Sequence, residues 1–234
     1  MEGFDDKLGI MKIFVVVPVF NEENRAVDTI KKILKVDRKV IVIVVDDGSS
    51  DDSLKILEKN FKNNKRIILA SHLINLGKGA AMKTGAKIAW KLGGQAVVFI
   101  DADGQHNPKY LPKFIKKLDE YPVVFGYRLL DKNSPWIRKT GNKLAGFLIG
   151  ILFNIKKKDL LCGFLGFKKE VYKKIVWKST RCGVETEMAI RVGRNKIPFS
   201  EIKIDTIYID KYKGVTIFDA FKILFKIPFW YFSK

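Results

Sequence analysis

Cysteine is scarce in this chain: Cys162 and Cys182 are its only two. They are too few for a disulfide scaffold and too far apart for a CxxC metal site, so buried thiols are expected. Long apolar runs are also missing. The longest nearly uncharged one, Leu144 to Ile155, is too short to span a bilayer. The amino terminus lacks a basic segment followed by an apolar stretch and a cleavage site. These absences predict a cytoplasmic protein. No helix-turn-helix, zinc-finger or RNP-like aromatic pattern is present, which argues against nucleic acid as a partner. The Gly-X4-Gly-Lys-Ser/Thr spacing of a Walker motif is absent too, as are internal repeats and low-complexity linkers.

What is present fits one folded α/β core. The chain has 234 residues, 47% of them hydrophobic and 29% charged, which excludes wholesale disorder and a polytopic membrane protein. Charge is lopsided, with 44 Lys and Arg against 25 Asp and Glu giving +19. Such a field attracts anionic membrane surfaces and phosphorylated substrates; a lysine-rich solvated surface explains part of the same excess.

Apolar, β-branched runs at Lys12 to Val17, Val40 to Val45, Arg66 to Ala70, Ala96 to Ile100 and Val123 to Phe125 predict strands. Helical patterns lie between them, including an amphipathic one carrying Asp28, Ile30, Ile33 and Leu34. This alternation predicts a doubly wound, mostly parallel sheet with helices on both faces. Pro18 is expected to close the first strand and Asn21 to cap the helix after it. Beyond Gly126 the pattern predicts an apolar helix from about Trp136 to Phe153 and a loop and strand over Asp159 to Phe167. Short helices are expected over Lys169 to Val176 and Val184 to Val192, and one or two strands over Phe199 to Ile209.

Polar clusters follow the strands, and in an open α/β sheet such positions share one crevice. Asp101-Ala-Asp103-Gly-Gln105 suits a hard divalent cation completed by phosphate oxygens, or is an acidic turn capping a helix. Asp46 and Asp47 are placed to accept hydrogen bonds from a nucleobase imide or a ribose, or to cap the next helix. Gly77-Lys78-Gly79 reads as a tight helix entry whose amides and lysine lie near phosphate, or as simple capping.

Taken in order and spacing, Pro18-Val-Phe-Asn-Glu-Glu, Val45-Asp-Asp-Gly-Ser-Ser-Asp, Asn75-Leu-Gly-Lys-Gly and Ile100-Asp-Ala-Asp-Gly-Gln-His-Asn-Pro resemble the inverting GT-A glycosyltransferases over at least Lys12 to Leu118. Looser motifs extend the likeness to the polyprenyl-phosphate sugar transferases, such as dolichol-phosphate mannosyltransferase. They are Gly126-Tyr-Arg128, Arg138 ahead of Gly141-Asn142, Asp159-Leu-Leu-Cys-Gly-Phe, and Glu185-Thr-Glu187-Met188.

The resemblance implies a GT-A, Rossmann-like fold and transfer of a hexose, mannose or glucose, from a GDP- or UDP-sugar to a polyprenyl (dolichyl) phosphate with inversion. By the same likeness Pro18, Asn21, Glu22, Asp46, Asp47 and Lys78 line the nucleotide site, and Asp101, Asp103 and Gln105 hold Mg2+ or Mn2+ on the diphosphate. Arg128 and Arg138 receive the acceptor phosphate, whose geometry suits a guanidinium fork. A phosphate is already an anion near neutral pH and needs no general base. A hydroxyl acceptor, as in polysaccharide or glycolipid synthesis, needs one, with Glu187 or Glu185 as the candidate. Where relatives often carry an arginine near Asp210 to Gly214, this chain offers Lys211 and Lys213. A non-catalytic nucleotide-sugar or membrane-binding module is the alternative of another class.

The expected organisation is a catalytic domain over residues 1–214 and an amphipathic segment over 215–234. That segment mixes large apolar side chains with lysines and is expected to lie in the headgroup layer. The protein is then peripheral on the cytosolic membrane face, held there by this tail, by Leu144 to Phe153 or by a membrane-anchoring partner protein.

Overall fold

The computed structural model describes residues 11–128, 146, 149–181 and 183–205. In chain order the elements are β1 (Ile13–Val19), α1 (Ala26–Val36), β2 (Ile41–Asp46), α2 (Ser53–Phe61), β3 (Ile67–Ser71), α3 (Lys78–Lys91), β4 (Ala96–Phe99), α4 (Leu111–Glu120) and β5 (Val123–Arg128). There follow a helical segment α5 (149–153), β6 (Leu165–Lys168), α6 (Tyr172–Ile175), α7 (Val184–Arg194) and β7 (Phe199–Ile204).

The seven strands form one sheet in the order β3-β2-β1-β4-β6-β5-β7. Every pairing is parallel except those of β6, which runs antiparallel between β4 and β5. The mostly parallel α/β architecture read from the sequence is therefore present. Burial explains why the central strands are wholly apolar. Phe14, Val16, Ile43, Val45, Val97 and Phe99 face one core with Met82, Ala86, Trp177 and Met188. The alternate residues Val15, Val17, Val42, Val44 and Val98 face a second core with Ile30, Ile33, Leu57, Leu111 and Phe114. The period of two sends successive side chains to opposite faces, and helices cover both.

Pro18 does not close β1; the strand continues to Val19, with Pro18 in register with Val45. The carbonyl of Val16 accepts from Ile100 on the β4 side, and that of Val19 accepts from Asp47 on the β2 side. By alternation Pro18 faces the β4 side, beyond Val16, the last residue paired with that strand. Its missing N–H therefore breaks no ladder bond. Here β1 and β4 part, and the chain leaves toward β2 from one and toward the β6 side from the other, which opens the crevice of a topological switch point.

Two further expectations are corrected at this edge. Asn21 caps no helix: it adopts φ 53, and the N-cap position of α1 is Arg25, whose side chain does not cap the helix. The fifth strand runs past Phe125 to Arg128, in register with Ile204 of β7. Arg138, Cys182, Lys211, Lys213, most of the 136–153 helix and the 214/215 boundary lie outside the described residues. Among the described residues no helix is long and apolar enough to cross a membrane. On α5, Ile149 and Phe153 are buried while Ile151 is 66% and Leu152 43% exposed.

Candidate active site at the carboxyl edge of the sheet

The loops after β1 and β2 are fastened to each other. Asn21 Oδ1 accepts from Ser50 N at 2.9 Å, Glu22 N donates to Ser53 Oγ at 2.9 Å and Asp52 N donates to Glu23 Oε2 at 3.1 Å. Asp46 is buried, and Oδ2 accepts from Ser49 N at 3.1 Å while Oδ1 accepts from Ser49 Oγ. Asp47 is buried too. Its Oδ1 accepts from His72 Nδ1 at 2.7 Å and Leu76 N at 3.1 Å, and its Oδ2 from Gly77 N at 2.7 Å. Because a carboxylate only accepts, His72 carries its proton on Nδ1, and Nε2 faces Thr84 Oγ1 at 2.9 Å. The expected base or ribose contact thus meets carboxylate oxygens that are already engaged. Asp47 ties the 72–77 loop to the sheet, and Gly48, at φ +68, leaves room for the backbone of Ile74 and Asn75.

This clamp carries a prediction. Asp47→Asn replaces an acceptor of three bonds by a group with one acceptor oxygen, leaving a buried donor opposite an NH2; it should lower unfolding free energy by about 1–3 kcal/mol. Urea unfolding followed by circular dichroism measures it, and an unchanged midpoint would show that the loop holds without the carboxylate.

The start of α3 is the tight helix entry read from the sequence, with Gly77 at its N-cap in a positive-φ conformation. The amides of its two glycines are engaged: Gly77 N is held by Asp47, and Gly79 N donates to Thr180 O at 2.6 Å. Trp177 Nε1 donates to Gly79 O at 2.8 Å. A Cβ on Gly77 or Gly79 would run into the backbone of residues 179–180, so these glycines serve a close chain crossing. That crossing aims Lys78 into the crevice. Its Nζ lies 2.6 Å from Asp101 Oδ1 and 2.7 Å from Glu185 Oε1; partial burial draws the ammonium's pKa down, but the two carboxylates outweigh it and hold it well above its ordinary value. Gly163 completes the fit, since a Cβ there would meet both Asp101 Oδ2 and Lys78 Nζ.

Asp103 is half-buried, and its Oδ1 accepts from Gln105 N at 3.0 Å. Burial and then the charge of Asp101 push its carboxyl above the usual range. For Asp101 burial acts upward, but Lys78, His106 and Arg128 outweigh it and hold the carboxyl low. His106 Nδ1 is buried without a hydrogen-bond partner, 3.8 Å from Asp101 Oδ2. Burial draws its pKa down.

Arg128, at the end of β5, gives Nε to Asp159 Oδ2 at 2.7 Å and a terminal nitrogen to Asp159 Oδ1 at 3.2 Å. Because β4 and β5 both run antiparallel to β6, they are parallel to each other, and Arg128 at the end of β5 lies on the same carboxyl edge as Asp101 after β4. Sequence reasoning quoted the motifs that contain Asp159 and His106 but gave neither a role, and it passed over His72; Asp159 orients this arginine.

Glu187 is placed elsewhere. It is 1% exposed, and it accepts from Lys178 N and Ser179 N at 2.8 Å and from Arg191 Nε at 3.0 Å. Of the two glutamates it is Glu185 that reaches the crevice.

A divalent cation fits this donor set. Asp101, Asp103 and the Gln105 amide offer hard oxygens, with the two carboxylates spaced two residues apart in the turn after β4. Among the described residues no group of three His, Cys, Asp or Glu side chains is arranged to hold a metal. A cation here would take further oxygens from a substrate.

A family profile, Glycosyl transferase family 2, matches residues 14–176. An uncharacterised protein of Methanocaldococcus jannaschii is 35% identical over 226 residues, 92% of this chain and 90% of that one. UDP-N-acetylglucosamine–dolichyl-phosphate N-acetylglucosaminyltransferase of Methanococcus voltae is 30% identical over 237 residues, covering 92% of this chain and 94% of that one. Among solved structures, glucosyl-3-phosphoglycerate synthase from Mycobacterium tuberculosis, in complex with Mn2+, UDP and phosphoglyceric acid, superposes with a TM-score of 0.73 at 18% identity. It covers 96% of this chain and 80% of that one, a likeness of fold.

Proposed function

Because this chain belongs to glycosyl transferase family 2, we propose that it moves one sugar, with inversion, from a nucleotide sugar to a polyprenyl (dolichyl) phosphate at a membrane surface. The observation that carries this reading is that Asp101 and Asp103 after β4 and Arg128 at the end of β5 share one carboxyl edge of the sheet, with Lys78 Nζ 2.6 Å from Asp101 Oδ1. The acceptor class is supported by the name of the Methanococcus voltae relative. The sugar on that relative is N-acetylglucosamine, so the expectation of mannose or glucose has no support from it. N-acetylglucosamine therefore leads the candidate donors.

Asp101, Asp103 and Gln105 would hold Mg2+ or Mn2+, which stabilises the negative charge that grows on the departing nucleoside diphosphate. The protein's own residues do the rest. Pro18 and the fastened loops around Asn21, Glu22, Asp46 and Asp47 shape the donor wall, and Lys78 sets a positive charge beside it. Arg128, oriented by Asp159, offers its remaining N–H groups to the acceptor phosphate, and Arg138 is proposed to share that role.

A hydroxyl acceptor would need a free carboxylate as base. Glu187 is occupied by four donors and Glu185 by Lys78, which favours an acceptor already ionised. Exposed Ile151 and Leu152, with the +19 charge, support contact with an anionic membrane, the proposed place of work, with a membrane-anchoring partner as the other means of attachment.

Incubation with labelled UDP-N-acetylglucosamine, GDP-mannose and UDP-glucose, each with polyprenyl phosphate, tests the reading. Label should enter the lipid with one donor and stop on addition of EDTA; no labelled lipid with any donor, beside transfer to a hydroxyl acceptor, would overturn it. Arg128→Lys keeps a counter-charge for Asp159 but loses the fork. Transfer to the lipid should fall by roughly one to two decades, the worth of a charge-assisted bond of about 1.5–3 kcal/mol, while nucleotide-sugar affinity stays within about twofold. Equal loss of donor binding would move Arg128 to the donor site.

A further inference from the structure

The ammonium of Lys78 sits on Asp101, the carboxylate to which the reading above assigns a divalent cation. Three features make that position a built one. The 179–180 backbone packs on Gly77 and Gly79 and fixes the start of α3. Gly163 leaves the space into which Lys78 Nζ and Asp101 Oδ2 project. Glu185, from α7, supplies a second carboxylate 2.7 Å from the same Nζ. Lys78 thus bridges an acid from the turn after β4 and one from α7, and its side chain is 34% exposed.

We infer that Lys78 competes with the divalent cation for Asp101, and that Glu185 is the positioning residue that keeps Lys78 in the site when the cation takes its place. An ammonium on Asp101 halves the negative charge that Asp101 and Asp103 can offer, so the cation alone binds weakly. A nucleoside diphosphate changes the balance by giving Lys78 new anionic oxygens while bridging to the cation. Metal and donor then enter together, and Lys78 sets the coupling between them. The inference rests on the metal-site reading proposed above.

The test measures Mn2+ binding to the full chain by the electron paramagnetic resonance signal of free Mn2+, with and without UDP. Lys78→Met should bind Mn2+ alone at least about tenfold more tightly than wild type, since a like charge a few ångströms from the cation has been removed. UDP should then tighten Mn2+ binding less in the variant than in wild type. Lys109→Met, which removes an exposed ammonium paired with Asp205, should leave Mn2+ affinity unchanged.

Circular dichroism melts establish that the variants are folded. Should Lys78→Met fail to fold, the double variant Lys78→Met with Glu185→Gln, which removes one charge of each sign, should still bind Mn2+ more tightly than wild type. Mn2+ binding of equal strength in wild type and the folded Lys78 variant would overturn the inference and leave the metal site standing. Absence of Mn2+ binding in both, with and without UDP, would overturn the metal reading and the inference with it. A crystal structure with Mn2+ and UDP in which Lys78 Nζ stays on Asp101 would also overturn it.

Discussion

Asp103→Asn is expected to leave a folded protein whose sugar transfer has fallen about 10^2- to 10^3-fold, the range seen when a group that stabilises developing charge is removed. The fold should survive because Asp103 stands half-buried in the turn after β4, outside both apolar cores, and its one bond among the described residues is to Gln105 N. An asparagine oxygen can accept that bond. What it cannot supply is charge. Burial and the neighbouring Asp101 push the Asp103 carboxyl up, a cost to the ionised form that a bound cation would offset. Initial rates with labelled nucleotide sugar, a melting curve and Mn2+ affinity measured on one preparation separate chemistry from folding. EDTA on the wild type should reproduce the loss. Full turnover by the variant in EDTA would remove Asp103 from the mechanism.

The elements that bring Asp103 to the crevice were legible because burial leaves a plain mark. Five apolar, β-branched runs became β1 to β5, and the polar clusters after β1, β2 and β4 share one edge because parallel strands put their carboxyl ends together. The insertion of β6 between β4 and β5 was not legible: an antiparallel strand buried on both faces reads like a parallel one. The partners of polar side chains were hidden as well. Asp46 and Asp47 look alike in sequence, yet Asp46 turns back on Ser49 while Asp47 clamps His72, Leu76 and Gly77.

Asn21 has the chemistry of a helix cap but bonds across to Ser50, because a loop 29 residues away arrives beside it. Lys157 had no signal at all among so many basic residues. It is buried, lies 4.2 Å from the centre of the Phe125 ring and has no hydrogen-bond partner for Nζ. Burial pushes its pKa down.

Glu185 and Glu187 show where such reasoning stops and what geometry adds. Two residues apart on a helix, they point about 200° from one another, so they cannot both face the crevice. Which one does is set by how α7 buries its apolar side. Val184, Met188 and Val192 enter the core, and the helix phase then sends Glu185 to Lys78 and Glu187 to the 178–179 backbone.

Removal of Glu187 should therefore damage the fold before it touches chemistry. Glu187→Ala leaves the N–H groups of Lys178 and Ser179 without their acceptor and the Arg191 guanidinium without its counter-charge, in a place where Glu187 is 1% exposed. Breaking one side of such a buried, hydrogen-bonded pair costs about 3–5 kcal/mol. The carboxylate is also a source of acid sensitivity. Burial pushes its pKa up, but the N–H groups of Lys178 and Ser179 and then Arg191 pull harder, and it lies below the ordinary glutamate value. The unfolded chain then takes up the proton more readily than the folded one. The stabilisation is complete above the ordinary glutamate pKa and is lost as pH falls through the lower folded value.

Urea unfolding at neutral pH and at successively lower pH should show the gap between wild type and Glu187→Ala narrowing as the wild type is protonated. The 177–181 segment that Glu187 holds packs on Gly77 and Gly79, so the variant should also loosen the start of α3 and weaken nucleotide-sugar binding. A Glu187→Ala protein that melts like wild type, binds donor normally and yet has lost transfer would instead make Glu187 the catalytic base of a hydroxyl-acceptor reaction.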